Sequence, residues 1–355
     1  MSCTLRKDHP ADHGYKMPAE WEAHAGTWLA WPHRDSDWPG KFEAIPWVYA
    51  EIIRILSRRE RVELIVADEA GEVRAREVLA PAGADLANVG FHHLPTDRSW
   101  MRDSGPIFVR DSLGTRGVLD FRFNAWAKYP DWNSDDLVPP FVANLRGLDR
   151  WRPTHHGRRV VLEGGSIDVN GHGLLLTTEE CLLSHVQERN PGCSRSDYER
   201  IFADFLGVKK VLWLDRGIAG DDTHGHVDDL ARFVNERTIV TVVESDPEDA
   251  NYQPLNDNLE RLQSMKGLQG ESLEIVPLPM PRPVLFDGMR LPASYANFYI
   301  ANGVVIVPTF NDPADRTALG ILTDLFPTRE VVGIHSVDLV WGLGTLHCMT
   351  QQEPA

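Results

Sequence analysis

The sequence predicts an α/β fold in which a strand–strand–helix–strand unit is repeated around an axis. Three observations lead to this prediction: short apolar runs of strand length, Gly- or Asn-containing turns between paired runs, and an amphipathic stretch after each pair. The order recurs several times. A repeat this long, in which no unit can cover its own sheet, indicates units closed around an axis into one domain.

The clearest repeats lie in the second half of the chain. Three predicted units comprise paired strands within 165–178, 230–244 and 296–308, helices near 196–206, 254–265 and 312–325, and closing strands at 211–214, 273–278 and 330–334. Ile167, Phe233 and Tyr299 are predicted to occupy equivalent positions, about 66 residues apart.

The first half follows the same pattern less regularly. Predicted strands 27–32 and 62–66 flank a helix near 46–58, and residues 106–110 and 117–121 form a later strand pair. Five units are therefore expected, and the alternative is an open α/β sheet of similar content. No Pro- or Ser-rich linker divides the chain, so residues 1–355 are predicted to form one domain.

One segment of the first half departs from the repeat. Residues 111–153 are rich in Trp, Pro, Asn and Asp. Long connections of this composition are typically ordered by their own aromatic side chains and often lie beside binding sites. The segment is therefore predicted to be an ordered surface excursion near a functional site.

Composition narrows the classes of partner. The formal net charge is -16, from 36 basic and 52 acidic residues, which disfavours nucleic acid and anionic membranes and is compatible with a cationic ligand. The first ten residues are charged where a signal peptide would be apolar, and no later run approaches about 18 apolar residues. A cytoplasmic location is expected.

The four cysteines, Cys3, Cys181, Cys193 and Cys348, lack paired CxxC spacing. This spacing argues against a zinc ribbon and against a dense disulfide framework. At least one thiol is therefore free for chemistry.

Ionisable residues beside glycine stand out in four segments, each at the end of a predicted strand. The segments are 100–106, 162–165, 221–229 and 342–350. Strand ends nearest a common axis converge, so these segments are expected to meet. Within them, Asp103 and Asp228 could hold a planar guanidinium cation by paired hydrogen bonds, and Trp100 could stack on its face.

The same segments contain a candidate nucleophile. Cys348 would need a cation nearby to become a thiolate, and a bound guanidinium can be that cation. His226 would protonate the departing ammonia and then take a proton from water, with Glu163 orienting the imidazole. Taken singly, each residue has a structural explanation: Asp103 in a turn, Glu163 at a bulge, Trp100 in the core, and Cys348 as an inert buried thiol.

A metal site is the sharper alternative. His224, His226 and Asp228 have the His-x-His-x-Asp spacing of some binuclear metallohydrolases, and alternate residues of a strand point the same way. His155 and His156 could add ligands. Asp229 follows where that motif would require histidine, which argues against this hypothesis.

Across nearly the whole chain, the sequence resembles the agmatine deiminase family, relatives of bacterial peptidylarginine deiminase within the guanidino-modifying superfamily. The resembling segments are Met17-Pro-Ala-Glu-Trp-Glu, Thr27-Trp-Leu-Ala-Trp-Pro, Trp100-Met-Arg-Asp-Ser-Gly-Pro, Leu162-Glu-Gly-Gly-Ser, Gly220-Asp-Asp-Thr-His-Gly-His-Val-Asp and Leu346-His-Cys-Met-Thr-Gln-Gln. Together these motifs are highly specific, although no single one would be.

The resemblance implies a pentein fold, a five-bladed pseudo-fivefold α/β propeller built from ββαβ-type repeats. It also implies Cys348 as nucleophile, His226 as general acid and base with Glu163 as its partner, and Asp103, Asp228 and Trp100 as guanidinium-binding residues. The implied reaction converts agmatine and water to N-carbamoylputrescine and ammonia through a covalent thioether, without metal or cofactor. A homodimer would be usual for the family.

Two positions depart from the family pattern. Leu343 stands in what is usually a run of glycines before the nucleophile, and His224 stands where the family usually has Asn. Each could alter the site, and loss of turnover would leave a guanidine-binding protein. The substrate tail is not identified by the sequence, so arginine and peptidyl-arginine stay as alternatives to agmatine.

Overall fold

Paired strands followed by a helix and a parallel strand form five small sheets in the computed structural model, which describes residues 4–355. We call each sheet with its helices a blade. In the first four blades, an inner strand pairs antiparallel with a middle strand, which pairs parallel with an outer strand. The predicted five-bladed α/β propeller is confirmed. Cys3 lies outside the described residues.

The bounds of blades two to four agree closely with the predicted repeats, whereas the helix and outer strand of blade one were not predicted. Each blade is given as inner strand, middle strand, helix and outer strand. Blade one comprises Ile107–Arg110, Arg116–Leu119, Val138–Arg146 and Asp149–Trp151, with the edge strand Leu5–Arg6, and blade two comprises Asp168–Val169, Leu174–Thr178, Arg195–Leu206 and Lys210–Leu214. Blade three comprises Ala231–Phe233, Thr238–Val243, Tyr252–Ser264 and Glu274–Pro279, and blade four comprises Tyr299–Ala301, Val304–Thr309, Pro313–Leu325 and Glu330–His335.

Blade five joins the two ends of the chain. The C-terminal strand Gln351–Pro354 pairs antiparallel with His24–Ala30, which pairs parallel with Val62–Val66, and that strand pairs parallel with Val89–His93. Helices Ile45–Leu56 and Glu69–Ala82 belong to this blade. The second helix and the fourth strand were not predicted from the sequence.

Shorter elements connect the blades. They are α-helices Met101–Ser104, Glu179–Leu183 and Leu346–Met349, hairpins Thr154–His155 with Arg158–Arg159 and Leu285–Phe286 with Met289–Arg290, and 3-10 turns Pro10–His13, Asp35–Asp37, Phe42–Ala44, Leu86–Asn88, Ala125–Ala127, Asp135–Leu137, Gly164–Ser166, Val227–Asp229 and Leu339–Gly342. Among residues 4–355, none of the helices combines the length and hydrophobicity that crossing a membrane requires.

Local chemistry explains where several helices begin. Ser194 and Asp197 form a reciprocal capping box at the start of the blade-two helix, which satisfies otherwise unpaired backbone N–H groups. Asp312 and Asp315 do the same in blade four, where Pro313 occupies the first turn, a position that needs no N–H donor. These signals are local, which is why the helix positions were predictable.

The segment 111–153 is not merely a surface excursion. It contains the middle strand, the helix and the outer strand of blade one. Only the connection around Trp126 and Tyr129 reaches the pocket described below. The aromatic and polar composition obscured a regular unit, because its strands are only three or four residues long.

The predicted repeat register was wrong by one residue. The outer strands of blades two to four can be aligned, and the strand pairing then gives the equivalent inner-strand positions. These positions are Asp168, Arg232 and Tyr299 rather than Ile167, Phe233 and Tyr299. Apolar character alone cannot detect this shift, because the aligned inner-strand positions carry buried polar groups as well as a tyrosine.

A buried ionic network links the inner strands. Arg232 pairs with Asp168 of blade two, and its Nη2 lies 2.9 Å from Glu20 Oε1. Glu20 also accepts from the backbone N–H of Ile300 in blade four. Arg102 joins Glu20 to Gln352 of blade five at 3.2 and 2.7 Å. Charges buried this deeply are tolerated because each is paired, and the network ties four blades together.

Candidate active site

The four predicted segments all fold as short turns beside the inner strands. Met101–Ser104 carries Asp103, Gly164–Ser166 follows Glu163, Val227–Asp229 carries Asp228, and Leu346–Met349 carries Cys348. Turns of this length aim side chains from different blades at one point. These four side chains and that of His226 are buried, so the site is shielded from bulk water.

Contacts shorter than 4 Å connect these five side chains. Cys348 Sγ lies 3.8 Å from Asp228 Oδ2. His226 Nδ1 lies 3.9 Å from Asp228 Oδ1 and 3.8 Å from Asp103 Oδ1. On the opposite edge of the ring, His226 Nε2 lies 3.8 Å from Glu163 Oε2. The structure therefore brings together residues that are separated by up to 245 positions in the chain.

Each carboxylate is held by a specific partner. Asp103 accepts hydrogen bonds from the backbone N–H of Gly165 at 3.0 Å and from Trp126 Nε1 at 2.8 Å. Glu163 Oε1 accepts from Arg189 Nε at 3.0 Å. These bonds fix the orientation of both carboxylates. Glu163 Oε2 has no partner, whereas each oxygen of Asp103 already accepts one hydrogen bond and keeps a lone pair for a further donor.

Asp228 is positioned by a second histidine. Asp228 Oδ2 lies 2.7 Å from His347 Nδ1, and the other ring nitrogen of His347 lies 2.8 Å from Glu20 Oε2. Each ring nitrogen of His347 therefore has a carboxylate oxygen within hydrogen-bond distance, which fixes the orientation of the ring. His347 thus connects the site to the ionic network at the axis.

Several polar atoms in the site are buried without any hydrogen-bond partner. They are both ring nitrogens of His226, Asp228 Oδ1 and Glu163 Oε2. Unsatisfied buried polar atoms cost free energy, and a group of them directed at one space indicates a site made for a polar ligand.

The pKa values of the two aspartates differ. Burial, reinforced by the charges of Asp228 and Glu163, raises the pKa of Asp103 to about 6 despite His226 nearby. Burial works in the same sense on Asp228, but His347, His226 and Arg232 outweigh it and lower its pKa. At neutral pH both carboxylates are therefore ionised, and only Asp103 titrates near the physiological range.

The His226 imidazole and Glu163 are held as a charged pair. Burial alone would lower the pKa of His226, but the charge of Asp103 and the nearby Cys181 and Glu163 raise it well above its ordinary value. Burial of Glu163 is likewise outweighed by Arg189 and His226, which lower its pKa to about 2. A protonated His226 therefore faces the site in the absence of ligand.

Cys348 sits in a negative environment. Burial, followed by the charges of Asp228, Asp229 and Asp103, raises the pKa of the thiol well above its ordinary value. Asn297 Nδ2 donates to the sulfur at 3.2 Å, and Asn297 Oδ1 accepts from Thr345 Oγ1 and the His347 N–H. The thiol is thus fixed in place but neutral until a cation enters.

This environment predicts the reactivity of the free protein. Neutral iodoacetamide should alkylate Cys348 at a rate that keeps rising with pH through about 9, because only the thiolate attacks. Peptide mass spectrometry after timed labelling measures the rate at Cys348, with a small-molecule thiol as reference. A rate that levels off below pH about 8 would contradict this account and indicate a preformed thiolate.

A pocket of about 360 Å³ leads to the sulfur. Cys348, Asp103 and Trp100 form its inner part. A Cβ on Gly344 would lie 2.6 Å from the Trp100 ring and 3.2 Å from Cys348 Sγ, so only glycine lets the indole and the thiol approach each other there. Trp100 is held from behind by Trp38, whose ring centroid is 5.5 Å away.

Leu343 stands where the family usually has glycine, and the structure shows the backbone conformation of this position. It adopts a left-handed backbone conformation, with φ of 69°, directly after the turn Leu339–Gly342. Glycine is the residue that adopts this conformation without strain, whereas a leucine pays roughly 1 kcal/mol or more. The Leu343 side chain lines the pocket, so the substitution changes the pocket wall rather than the position of the thiol.

The proposed metal set of His224, His226 and Asp228 does not converge. His224 lies in a turn with φ of 65°, and its Nε2 contacts Ser184 Oγ at 3.1 Å. The expectation of alternating strand geometry was wrong, because residues 224–226 are not in a strand. His224 is also absent from the pocket lining, so it does not reach a substrate tail there.

Other groups of potential metal ligands exist in the described residues. Their ligand atoms lie within 4.8 Å of one another in three sets: Glu163, Cys181 and His226; Asp228, Asp229 and Cys348; and His155, Cys193 and Asp197. The first two sets share residues with the site. The third lies at a separate cavity, and there Asp197 is already engaged as a helix cap.

Four supporting residues were missed from the sequence: Trp126, Arg189, Asn297 and His347. Trp126 and Asn297 lie in loops, where no periodic pattern marks them. The only local signal was at His347, which is next to Cys348. Arg189 acts across 26 positions, so its pairing with Glu163 depends on the tertiary structure.

A profile of the Porphyromonas-type peptidyl-arginine deiminase family matches residues 16–354. The chain is a member of this family. Among its relatives, the agmatine deiminase of Pseudomonas aeruginosa strain LESB58 is 36% identical over 369 aligned residues, which cover 98% of this chain and 97% of the relative.

Solved structures of the family are similar over the whole chain. Agmatine deiminase of Enterococcus faecalis superposes with a TM-score of 0.92 at 31% identity, covering 99% of both chains. A cysteine-to-serine variant of C. jejuni agmatine deiminase with substrate bound gives a TM-score of 0.85 at 30% identity, covering 96% of both chains.

Proposed function

We propose that this chain hydrolyses the guanidinium group of agmatine, giving N-carbamoylputrescine and ammonia through a covalent intermediate on Cys348. The observation that supports this most directly is the buried thiol 3.8 Å from Asp228, in a pocket that also carries Asp103. Membership of the family and the agmatine deiminases among its relatives favour the same reaction.

Binding comes first. Asp228 Oδ1, which has no partner, and the remaining lone pairs of the Asp103 oxygens accept from N–H groups of the planar cation, and Trp100 covers its face. Two buried carboxylates with few other partners repel each other, so a cation between them removes that repulsion. Binding is therefore strongest when both aspartates are ionised.

The cation also activates the nucleophile. Its positive charge opposes the carboxylates that raise the pKa of Cys348, so the thiol releases its proton to solvent and becomes a thiolate in the complex rather than in the free protein. The sulfur then bonds to the guanidinium carbon to give a tetrahedral adduct. When the C–N bond to an unsubstituted nitrogen breaks, that nitrogen takes a proton from His226 and leaves as ammonia.

The second half of the reaction reverses the role of His226. Water attacks the amidino-thioether carbon and gives a proton to the now neutral imidazole, and the C–S bond breaks to regenerate the thiolate. Glu163, held by Arg189, keeps the ring oriented and favours its protonated state between turnovers. One water enters and one ammonia leaves, so no cofactor is required by the balance.

The outer part of the pocket carries charged side chains that the tail of the substrate would meet. Asp37 and Asp222 line it, which suits the ammonium of agmatine. Arg34 and Arg98 also line it, which would suit the carboxylate of arginine or of a peptide C-terminus. Arg34 and Arg98 pair with Asp37 and Asp131, and Lys128 pairs with Asp222, so charges of both signs in the outer pocket are largely balanced. The preference for agmatine therefore rests on the agmatine deiminases among the relatives.

The test is ammonia release from agmatine, arginine and peptidyl-arginine at equal concentration. Agmatine should have the highest kcat/KM, and incubation with a chelator should leave the rate unchanged. A higher rate with arginine would transfer the function to a carboxylate-bearing substrate, and activity restored by added metal after chelation would defeat the thiol mechanism.

Asp103 should set an acid limit to activity. With a pKa of about 6, its carboxyl is protonated at lower pH and loses the charge that attracts the cation. The value of kcat/KM for agmatine should therefore fall as pH decreases below about 6, mainly through a higher KM. Asp103→Asn should have a low kcat/KM that no longer falls as pH decreases below about 6. If the fall persists in this variant, the group that titrates is not Asp103.

Three further parts of the proposal concern the protein as a whole. Residues 1–355 act as one catalytic domain, the protein is cytoplasmic, and it forms a homodimer. Sedimentation of the purified protein measures its assembly, and fractionation of cells that express the full chain measures its location.

A further inference from the structure

A second cavity, separate from the active-site pocket, is lined by cationic side chains. Its volume is about 660 Å³, and it lies between the hairpin of residues 154–159 and the loop 189–193. Arg122, Arg158, Arg159 and Arg189 line it together with His155 and His156. Among the residues that the structure describes, no aspartate or glutamate lines this cavity. In a chain with net charge -16, this concentration of positive charge is unusual.

Two of the four arginines have their charge balanced from behind the cavity wall. Arg159 pairs with Asp120 at 2.8 Å and Asp136 at 2.6 Å, and Arg189 pairs with Glu163 at 3.0 Å. Arg122 packs against the Trp132 ring at 4.8 Å, and Arg158 is exposed. Within residues 4–355, neither Arg122 nor Arg158 forms an ion pair with a carboxylate. Two uncompensated guanidinium groups therefore face the same space.

The rest of the wall offers further donors. His155 Nε2 is buried without a hydrogen-bond partner, although Asp197 Oδ1 lies 3.4 Å away. The two histidine rings are 4.0 Å apart, and His156 adopts a left-handed conformation with φ of 47° at the tip of the hairpin. This conformation is the usual one for a two-residue hairpin turn such as His156-Gly157, and it places the His156 ring beside that of His155.

We propose that this cavity binds a phosphate-bearing small anion of up to nucleotide size. Guanidinium groups bind phosphate oxygens through two parallel hydrogen bonds, and Arg122 and Arg158 are the forks available for this contact. The volume lies within the range of pockets that enclose small molecules. The ligand neutralises the charges of arginines that otherwise repel one another.

The cavity adjoins the active site through one residue. Arg189 lines the cavity and also donates to Glu163, whereas Cys348, His226, Asp103 and Asp228 do not line it. Binding of an anion in this cavity therefore does not depend on the proposed deiminase reaction, and it can be measured in the absence of turnover.

The experiment is calorimetric titration of the purified full chain with inorganic phosphate, pyrophosphate and ATP, with citrate as a polyanion that lacks phosphate. Pyrophosphate or ATP should bind more tightly than citrate. Arg122→Gln and Arg158→Glu should each weaken that binding about tenfold or more, since each removes a charged hydrogen-bond fork. Thermal unfolding of each variant verifies that it is folded.

Arg316→Glu is the matched control. Arg316 is exposed on the helix Pro313–Leu325, outside the cavity lining, and its substitution makes the same change in net charge as Arg158→Glu. Binding should be unchanged in this variant. The proposal is overturned if no phosphate compound binds the wild-type chain, if citrate binds as tightly as pyrophosphate, or if the control loses as much affinity as the cavity variants.

Discussion

Replacing Cys348 with alanine is expected to lower ammonia release from agmatine by at least about 10⁴-fold. The other thiol near the site, Cys181, lies beside Glu163 and His226 but does not line the pocket, and the neighbours of Cys348 are carboxylates and the amide of Asn297. The sulfur is one buried atom, so its deletion should change the free energy of unfolding by only about 1 kcal/mol. Steady-state ammonia assays and thermal unfolding measure the two effects.

Two further variants separate chemistry from binding. Cys348→Ser keeps the shape of the side chain and should still bind agmatine in calorimetry, without turnover. Cys193→Ala removes a thiol that lines the second cavity and should retain wild-type activity. If Cys348→Ala turned over agmatine at a rate near that of the wild type, the covalent mechanism would have to be abandoned.

Substituting alanine for Gly165 is expected to lower kcat/KM by about 10²-fold or more. An added Cβ would lie 2.6 Å from His226 Nδ1, 2.8 Å from Asp103 Oδ1 and 3.1 Å from Asp228 Oδ2, all closer than normal contact. These three side chains must therefore move, and a displacement approaching 1 Å is costly where a cation is gripped from two sides. The overpacking should also destabilise the fold by about 1–3 kcal/mol.

Gly320→Ala provides the control for this effect. Gly320 lies within the helix Pro313–Leu325, and a Cβ there would meet nothing within 4 Å. Alanine is favoured over glycine in a helix by about 1 kcal/mol, so the control should be slightly more stable and fully active. Equal activity of Gly165→Ala and Gly320→Ala would show that the space beside Gly165 is not used in catalysis.

Helix and strand positions were predictable because their signals are local. The capping residues Ser194 and Asp312 and the apolar runs of blades two to four mark elements within a few residues of where they form. The helix Glu69–Ala82 was missed because its apolar face is weak, with few buried side chains. The one-residue error in the repeat register has a different cause, since strand pairing is decided between segments rather than within one.

The residues of the candidate site likewise fall into two groups: those that a local motif identifies and those that only the folded chain identifies. Cys348, His226, Glu163, Asp103, Asp228 and Trp100 each stand in a short motif, and the resemblance to a family assigned their roles before any distance was known. Asn297, Trp126 and Arg189 contact these residues from loops that carry no motif, so only the folded chain identifies them. His224 has the spacing of a ligand, but its backbone turns it toward Ser184.

The sequence by itself predicted the repeated unit from residue type and spacing along the chain, and its motifs and family resemblance supplied the candidate chemistry, with Cys348 as the proposed nucleophile. The tertiary structure decided the pKa of Asp103, the protonation of His226, the neutral state of the Cys348 thiol and the presence of a second, cationic cavity. Burial and charge act through space, and they depend on which distant segments the five blades bring within a few ångströms of one another.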